Sequence, residues 1–123
     1  MLFAITVLVL YFQNDFMQTK MNKYDAEGRK HGPWIEYRFN GKVWAKCEYI
    51  HGKQHGPWIE YYNNGQIYIT GEYIHGRAHG SWMMLHNNGK LCYKQTFDMD
   101  KRIGYFVHYN IFGILITKHF YAR

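Results

Sequence analysis

The chain has 123 residues, enough for one domain, with Lys and Arg totalling 15 against 9 acidic residues and a formal charge of +6. Aromatic residues make up 20%, prolines are few and no low-complexity linker is present, which excludes a disordered chain. Two cysteines, Cys47 and Cys92, are too few for a disulfide-stapled scaffold and point to a reducing compartment, so the cytoplasm is the expected location.

Residues 2–12 form an apolar run of 11, Leu-Phe-Ala-Ile-Thr-Val-Leu-Val-Leu-Tyr-Phe. A membrane-spanning helix needs about 20 apolar residues. No positive residue precedes the run and no small-residue cleavage site follows it, which disfavours a signal peptide. Three readings stay open for this segment: a strand or lid over the first repeat, a membrane-surface anchor, or an extension upstream of a start at Met17 or Met21. Residues 1–23 are accordingly set apart from the rest.

From residue 24 onward the sequence repeats itself. Gly-Arg-Lys-His-Gly-Pro-Trp (28–34), Gly-Lys-Gln-His-Gly-Pro-Trp (52–58) and Gly-Arg-Ala-His-Gly-Ser-Trp (76–82) recur at a period of 24. A degenerate fourth copy runs from Asp100. The repeats are 28–51, 52–75, 76–99 and 100–123. One column reads Trp34, Trp58, Trp82 and Phe106, another Gly41, Gly65, Gly89 and Gly113, and a third Tyr49, Tyr73, Phe97 and Tyr121. Asn40, Asn64 and Asn88 precede three of those glycines, and Asn-Gly between apolar runs predicts a type I′ hairpin with positive φ at both residues. The His-Gly segments are read as the return turns.

The predicted strands are 33–39, 42–50, 57–62, 66–74, 81–86, 90–98, 105–110 and 114–121. Paired in sequence order, they give an all-β protein: an extended single-layer antiparallel meander, advancing about 9.5 Å per repeat. Stacked aromatic columns, rather than one central core, are expected to hold it.

The pattern Gly-x-x-His-Gly-Pro-Trp-x-x-Tyr-x-x-Asn-Gly, with Glu-Tyr-x-x-Gly after it, resembles the MORN repeat, in particular the antitoxin-like YwqK-type variant of bacteria and their viruses. The resemblance covers residues 24–123. It implies a β-sheet used for protein contacts, with phospholipid binding and toxin neutralisation as roles proposed for relatives.

Each residue cluster that suggests chemistry has a simpler reading. His51 and His55, like His75 and His79, are four apart, but glycines intervene and the spacing belongs to the turn consensus. Equivalent histidines of successive repeats fall about 9.5 Å apart, too far to share a zinc ion. Glu36 and Glu60 share a column with Met84 and His108 and are read as a solvated face. No phosphate loop, nucleophile elbow or dinucleotide fingerprint is present, so neither an enzyme nor a cofactor is expected. Cys47 and Cys92 stand at an odd offset and are expected as unpaired, buried or half-buried thiols.

The basic columns are the candidate binding residues. Arg29, Lys53, Arg77 and Lys101 fall at the glycine-rich turns. Lys46, Lys94 and Lys118, interrupted by Thr70, fall on the longer strands, on the same parity as Trp44, Tyr68, Cys92 and Ile116 and opposite to Val43. Such a surface suits an acidic protein, with anionic lipid next and nucleic acid less favoured; a solvated rim is the alternative. The fourth repeat gains Tyr105, Val107, Ile114, Leu115 and Ile116, expected to close the array or to dock a partner or a second copy through an open sheet edge. The expected function is a non-enzymatic protein-interaction module, an antitoxin-like or viral host-factor inhibitor acting by occlusion. The alternatives are a membrane-surface protein and a homo-oligomeric assembly component.

Overall fold

A computed structural model describes residues 21–123. The apolar run 2–12 and its candidate roles therefore lie outside the described residues, as do Met1 and Met17. The strands are β1 Lys23–Tyr24, β2 Lys30–Tyr37, β3 Val43–Ile50, β4 Lys53–Gln54, β5 Gly56–Tyr61, β6 Ile67–Ile74, β7 Arg77–Leu85, β8 Leu91–Asp98, β9 Lys101–Tyr109 and β10 Leu115–Tyr121. They form one open antiparallel sheet in the order β1-β2-β3-β5-β6-β7-β8-β9-β10, with the two-residue β4 also paired to β3. The fold is the all-β meander of hairpin repeats that the period predicts.

The Asn-Gly turns differ in type from expectation, and of the two His-Gly segments of a repeat only the first makes the expected return turn. At the Asn-Gly end only the glycines have positive φ: Gly41 84°, Gly65 87°, Gly89 85° and Gly113 83°. The Arg38 N–H donates to the Lys42 carbonyl (2.7 Å) and the Gly41 N–H to the Arg38 carbonyl (2.9 Å). This is a three-residue loop, a type I turn closed by a left-handed glycine, and not a type I′ turn. Asn40 keeps an ordinary φ because its Oδ1 accepts the Lys42 N–H (3.1 Å). The odd loop residue is absorbed by a bulge in the longer strand. Tyr37 pairs with Val43 and Glu36 with Ala45, leaving Trp44 as the extra residue. Tyr68, Cys92 and Ile116 are the extra residues of the later repeats.

The type I′ turns lie at the other end, in two-residue loops. Both central residues have positive φ at His51–Gly52 (46° and 84°), His75–Gly76 (48° and 80°) and Met99–Asp100 (47° and 73°). The second His-Gly of each repeat is not a turn. Gly56, Gly80 and Gly104 begin or lie within β5, β7 and β9 with φ of 84°, 74° and 68°. There the pairing shifts register by two: Thr70 faces Met83 but Glu72 faces His79, and Lys94 faces Val107 but Thr96 faces Ile103. This is why β7 and β9 start earlier than the pattern predicts. It also seats Trp82 on the backbone of the strand before it, at Gly71.

The tryptophan face carries the packing. Trp34 (5% exposed), Ala45 (0%), Cys47 (6%) and Trp58 (9%) form a cluster, with Tyr49, Tyr73 and Trp82 against it. The rings meet edge to face: Tyr24–Trp34 at 5.3 Å, Trp34–Tyr49 at 5.8 Å, Trp58–Tyr73 at 5.6 Å and Tyr73–Trp82 at 5.0 Å. Such contacts add about 0.5–1.5 kcal/mol each beyond area burial. Trp34 and Trp58 donate their indole N–H to Glu36 and Glu60, both at 2.9 Å. These glutamates are therefore half-buried acceptors, not the solvated face expected of them. Indoles turned inward need a partner for the N–H, and the carboxylate two residues on supplies it.

Hydrogen bonds one repeat apart tie the hairpin loops. Arg38 donates to the Tyr61 carbonyl (2.7 Å), the Tyr62 hydroxyl to that of Leu85 (2.6 Å), and His86 Nε2 meets that of Tyr109 (2.8 Å). Asn40 donates to Asn63 (2.8 Å), Asn64 to Asn87 (2.7 Å) and Asn88 to the Ile111 carbonyl (2.8 Å).

Candidate interaction surface

The face opposite the tryptophans is built by cross-strand register. Lys46 lies between Ile35 and Ile59, Thr70 between Ile59 and Met83, Lys94 between Met83 and Val107, and Lys118 beside Val107. The result is one row in which apolar residues alternate with lysines, interrupted by Thr70. Lys46 Nζ stands 5.8 Å from the Tyr61 ring and Lys118 Nζ 4.3 Å from the Tyr105 ring, placing basic and aromatic groups side by side. The neighbouring row pairs Pro33 with Glu48, Pro57 with Glu72, Ser81 with Thr96 and Tyr105 with Phe120. The exposed Glu48 therefore balances Lys46 in the first repeat, and in the second Glu72 stands beside the uncharged Thr70. In the last two repeats Thr96 and Phe120 take their place, and Lys94 and Lys118 stand without an acidic neighbour in the row.

Parity alone places Val43 on the face opposite Lys46. The bulge at Trp44 reverses it: Val43, Lys46 and Tyr61 line one shallow depression, of about 500 Å³, together with Lys42 and Asn64. Trp44 lies apart from it, in a second depression with Tyr37, Phe39 and Asn63. Tyr68 packs at a tilt against Tyr62, with ring centroids 4.8 Å apart. The structure thus joins Lys46 to Tyr61 and not to Trp44.

The turn column is uneven. Arg29 is held by Asp25 (2.8 Å) and Glu27 (3.1 Å), and its stem covers Gly52, where an added Cβ would meet the Arg29 Cβ at 3.4 Å. Lys53, Arg77 and Lys101 are exposed and make no ion pair among the described residues. Burial pushes the Asp25 carboxyl up, but hydrogen bonds from the Arg29 amide, His51, the Arg29 guanidinium and the Glu27 amide outweigh it and hold the group well below the usual carboxylate range. This hairpin of β1 and β2 fixes the first edge of the array.

The fold pairs histidines across the turns, which linear spacing conceals. The His31 and His51 rings meet at a tilt with centroids 4.6 Å apart and those of His55 and His75 at 4.9 Å, while the His51 and His75 amides donate to His31 Nδ1 (3.1 Å) and His55 Nδ1 (3.3 Å). Their first task is to satisfy backbone at a type I′ turn. Among the described residues no group of three or more His, Cys, Asp or Glu side chains is placed to hold a metal, and no helix is long and apolar enough to cross a membrane.

Cys47 and Cys92 are buried and free. Burial pushes the Cys47 thiol up from 9.0 to about 11, with a hydrogen bond to Tyr49 opposing it. A thiol that holds its proton more tightly when folded stabilises the native state fully below its unfolded pKa and loses that contribution as pH rises through the folded one. Native stability is expected to fall between pH 9 and about 11, by about 2–3 kcal/mol from this group. Cys47→Ala should flatten that limb in urea unfolding series across the window. An unchanged slope would exclude the thiol as its source.

Sequence reasoning missed Gly71, Gln95 and Tyr61. A Cβ on Gly71 would lie 2.1 Å from Trp82, so the indole rests directly on the backbone. Gln95, buried at 6%, donates to the Thr96 and Ile103 carbonyls (both 2.9 Å) at the register shift of β8 and β9. Cys47, Gly71 and Gln95 occupy one column. Their dissimilarity hid a shared position, which at Gly71 lies directly under the next repeat's tryptophan.

The family model described as the MORN repeat variant matches residues 30–51, 54–75 and 78–99. The hairpin of β9 and β10 lies beyond the match but continues the same pairing. No curated protein and no solved structure matches the chain. MORN repeats generally serve as protein- or membrane-interaction modules. With three tandem copies spanning more than half of its length, and with the repeating hairpins, bulges and tryptophan column described above, the chain belongs to the MORN repeat variant family.

Proposed function

We propose that the chain is a non-enzymatic protein-interaction module that acts by occlusion, laying its face opposite the tryptophans over an acidic surface of a partner protein. The observation that carries this reading is the change in charge along the row. Lys46 is balanced by Glu48 in the first repeat, Thr70 beside Glu72 leaves the second without a basic residue, and Lys94 and Lys118 stand unopposed beside Met83, Val107 and Phe120 in the last two. Apolar contacts of this kind supply affinity, and the unopposed lysines Lys94 and Lys118 supply steering and orientation. Lys46, Lys53, Arg77 and Lys101 extend the positive field. An antitoxin-like role of the YwqK type, or inhibition of a host factor by a viral protein, is a particular form of such occlusion.

The test is charge reversal of Lys46, Lys94 and Lys118, all exposed, so that the fold is retained. A partner captured from lysate at low salt is expected to bind the triple variant on the order of 10–1000-fold more slowly, because steered association is lost. Arg29→Gln, which removes a charge already neutralised by Asp25 and Glu27 and keeps a side-chain donor, should change it little. Equal capture by the native chain and the triple variant, both with native circular dichroism, would remove this face from the account.

A further inference from the structure

The two ends of the sheet are finished differently. At the first, β1 has two residues, and the Asp25, Arg29 and His51 contacts close the hairpin over the edge. At the other, β10 is a seven-residue strand that, among the described residues, pairs on one side only. From Leu115 to Phe120 every residue is exposed, including Leu115 (47%), Ile116 (57%) and Phe120 (57%), with Ile114 (61%) just before. A long apolar edge strand is normally guarded by charge, proline, a bulge or covering chain; in β10 the bulge is confined to its start, at Ile116, and the run from Thr117 to Tyr121 is regular. Lys118 is the only lysine in β10, and its ammonium is drawn back over Tyr105 on β9, 4.3 Å from the ring, away from the free edge.

We infer that β10 is a self-association edge: two copies pair β10 to β10 antiparallel about a twofold axis at Thr117, making one sheet across both. An edge strand is satisfied only by another extended strand, and β10 fits itself. An antiparallel pair related by a twofold axis normal to the sheet keeps each residue on its own face, so a residue lies on the axis. With Thr117 there and Ile116 set aside by the bulge, Leu115 faces the stem of Lys118 of the second copy and Ile114 faces His119. Threonine–threonine pairs and apolar packing across strands are favourable. The next register, with Lys118 on the axis, sets two ammonium groups against each other and is disfavoured. The blunted β1 edge stops further growth, so the assembly closes as a dimer rather than a fibre.

This goes beyond the proposed partner surface and is independent of it, and salt separates the two. Each copy carries a formal charge of +6. Self-association should therefore strengthen as salt screens the repulsion, whereas binding to an acidic partner weakens. Sedimentation velocity of the purified full chain, with no partner present, is expected to show a species of twice the 14.9 kDa chain mass, increasing with salt. Leu115→Lys, at an exposed site, should weaken it on the order of tenfold or more by opposing like charge to the second copy. A second variant keeps the test independent of stability: Thr117→Cys should form an intermolecular disulfide under mild oxidation much faster than Lys23→Cys at the β1 edge. A monomer at all concentrations and salts would overturn the inference. So would equal cross-linking at residues 117 and 23. A monomer that sediments with phosphatidylserine-containing vesicles would also overturn it and assign the strip to a membrane surface.

Discussion

Trp58→Ala is expected to lower the stability of the array by about 3–5 kcal/mol, the range for removing a buried aromatic side chain. The indole is 9% exposed, lies in the cluster with Trp34, Ala45 and Cys47, meets Tyr73 edge to face at 5.6 Å and donates to Glu60 at 2.9 Å. Its loss opens a cavity, removes a ring contact and leaves the half-buried Glu60 carboxylate without its donor. Because each hairpin is stabilised by its neighbours, damage at the second repeat uncouples the first from the third. Trp44→Ala removes an indole that is 37% exposed and takes no part in that cluster, and should cost less than 1 kcal/mol. Urea unfolding followed by far-UV circular dichroism reads both. Equal losses for the two variants would refute the claim that the inward tryptophan column, rather than aromatic content in general, holds the repeats together.

Gly71→Val is expected to cost about 2–3 kcal/mol, although valine suits a strand better than glycine does. Its Cβ would stand 2.1 Å from Trp82 Cδ2 and 2.3 Å from Cε2. The backbone of β6 is pinned by β5 and β7, so the indole must leave. With it go the hydrogen bond to the Glu72 carbonyl (3.2 Å) and the ring contacts with Tyr73 (5.0 Å) and Phe97 (6.4 Å). A double-mutant cycle isolates the cause. In a Trp82→Ala background the same valine meets no ring, and its cost should vanish or reverse. A stabilised Gly71→Val in the native background would show that propensity, and not the seat of Trp82, governs this position.

The period, the class of the sheet and the tryptophan and glycine columns were legible because every repeat states them again. A strand period of two and a turn glycine are local properties, and three near-identical copies average out accidents of sequence. What single positions do was less legible. Asn40–Gly41 has the composition of a type I′ turn, yet the type I′ geometry went to His51–Gly52, where only two residues separate the strands. The second His-Gly carries the same two letters as the first and became a register shift within the sheet. Local composition does not distinguish these because loop length and pairing are settled between strands, not within one.

The sequence by itself determined that this chain is a basic, aromatic, single-layer meander of 24-residue hairpins, since hydrophobic alternation and turn residues act over short distances. Only the tertiary structure decided which side chains meet. The bulges at Trp44, Tyr68, Cys92 and Ile116 reverse strand parity and bring Val43 to Lys46. The two-residue shifts place Trp82 on Gly71, and cross-strand register sets Glu48 and Glu72 beside the lysine row. The open β10 edge belongs to the same class of fact. A free edge comes from the order in which strands pair, and that order exists only once the sheet is assembled.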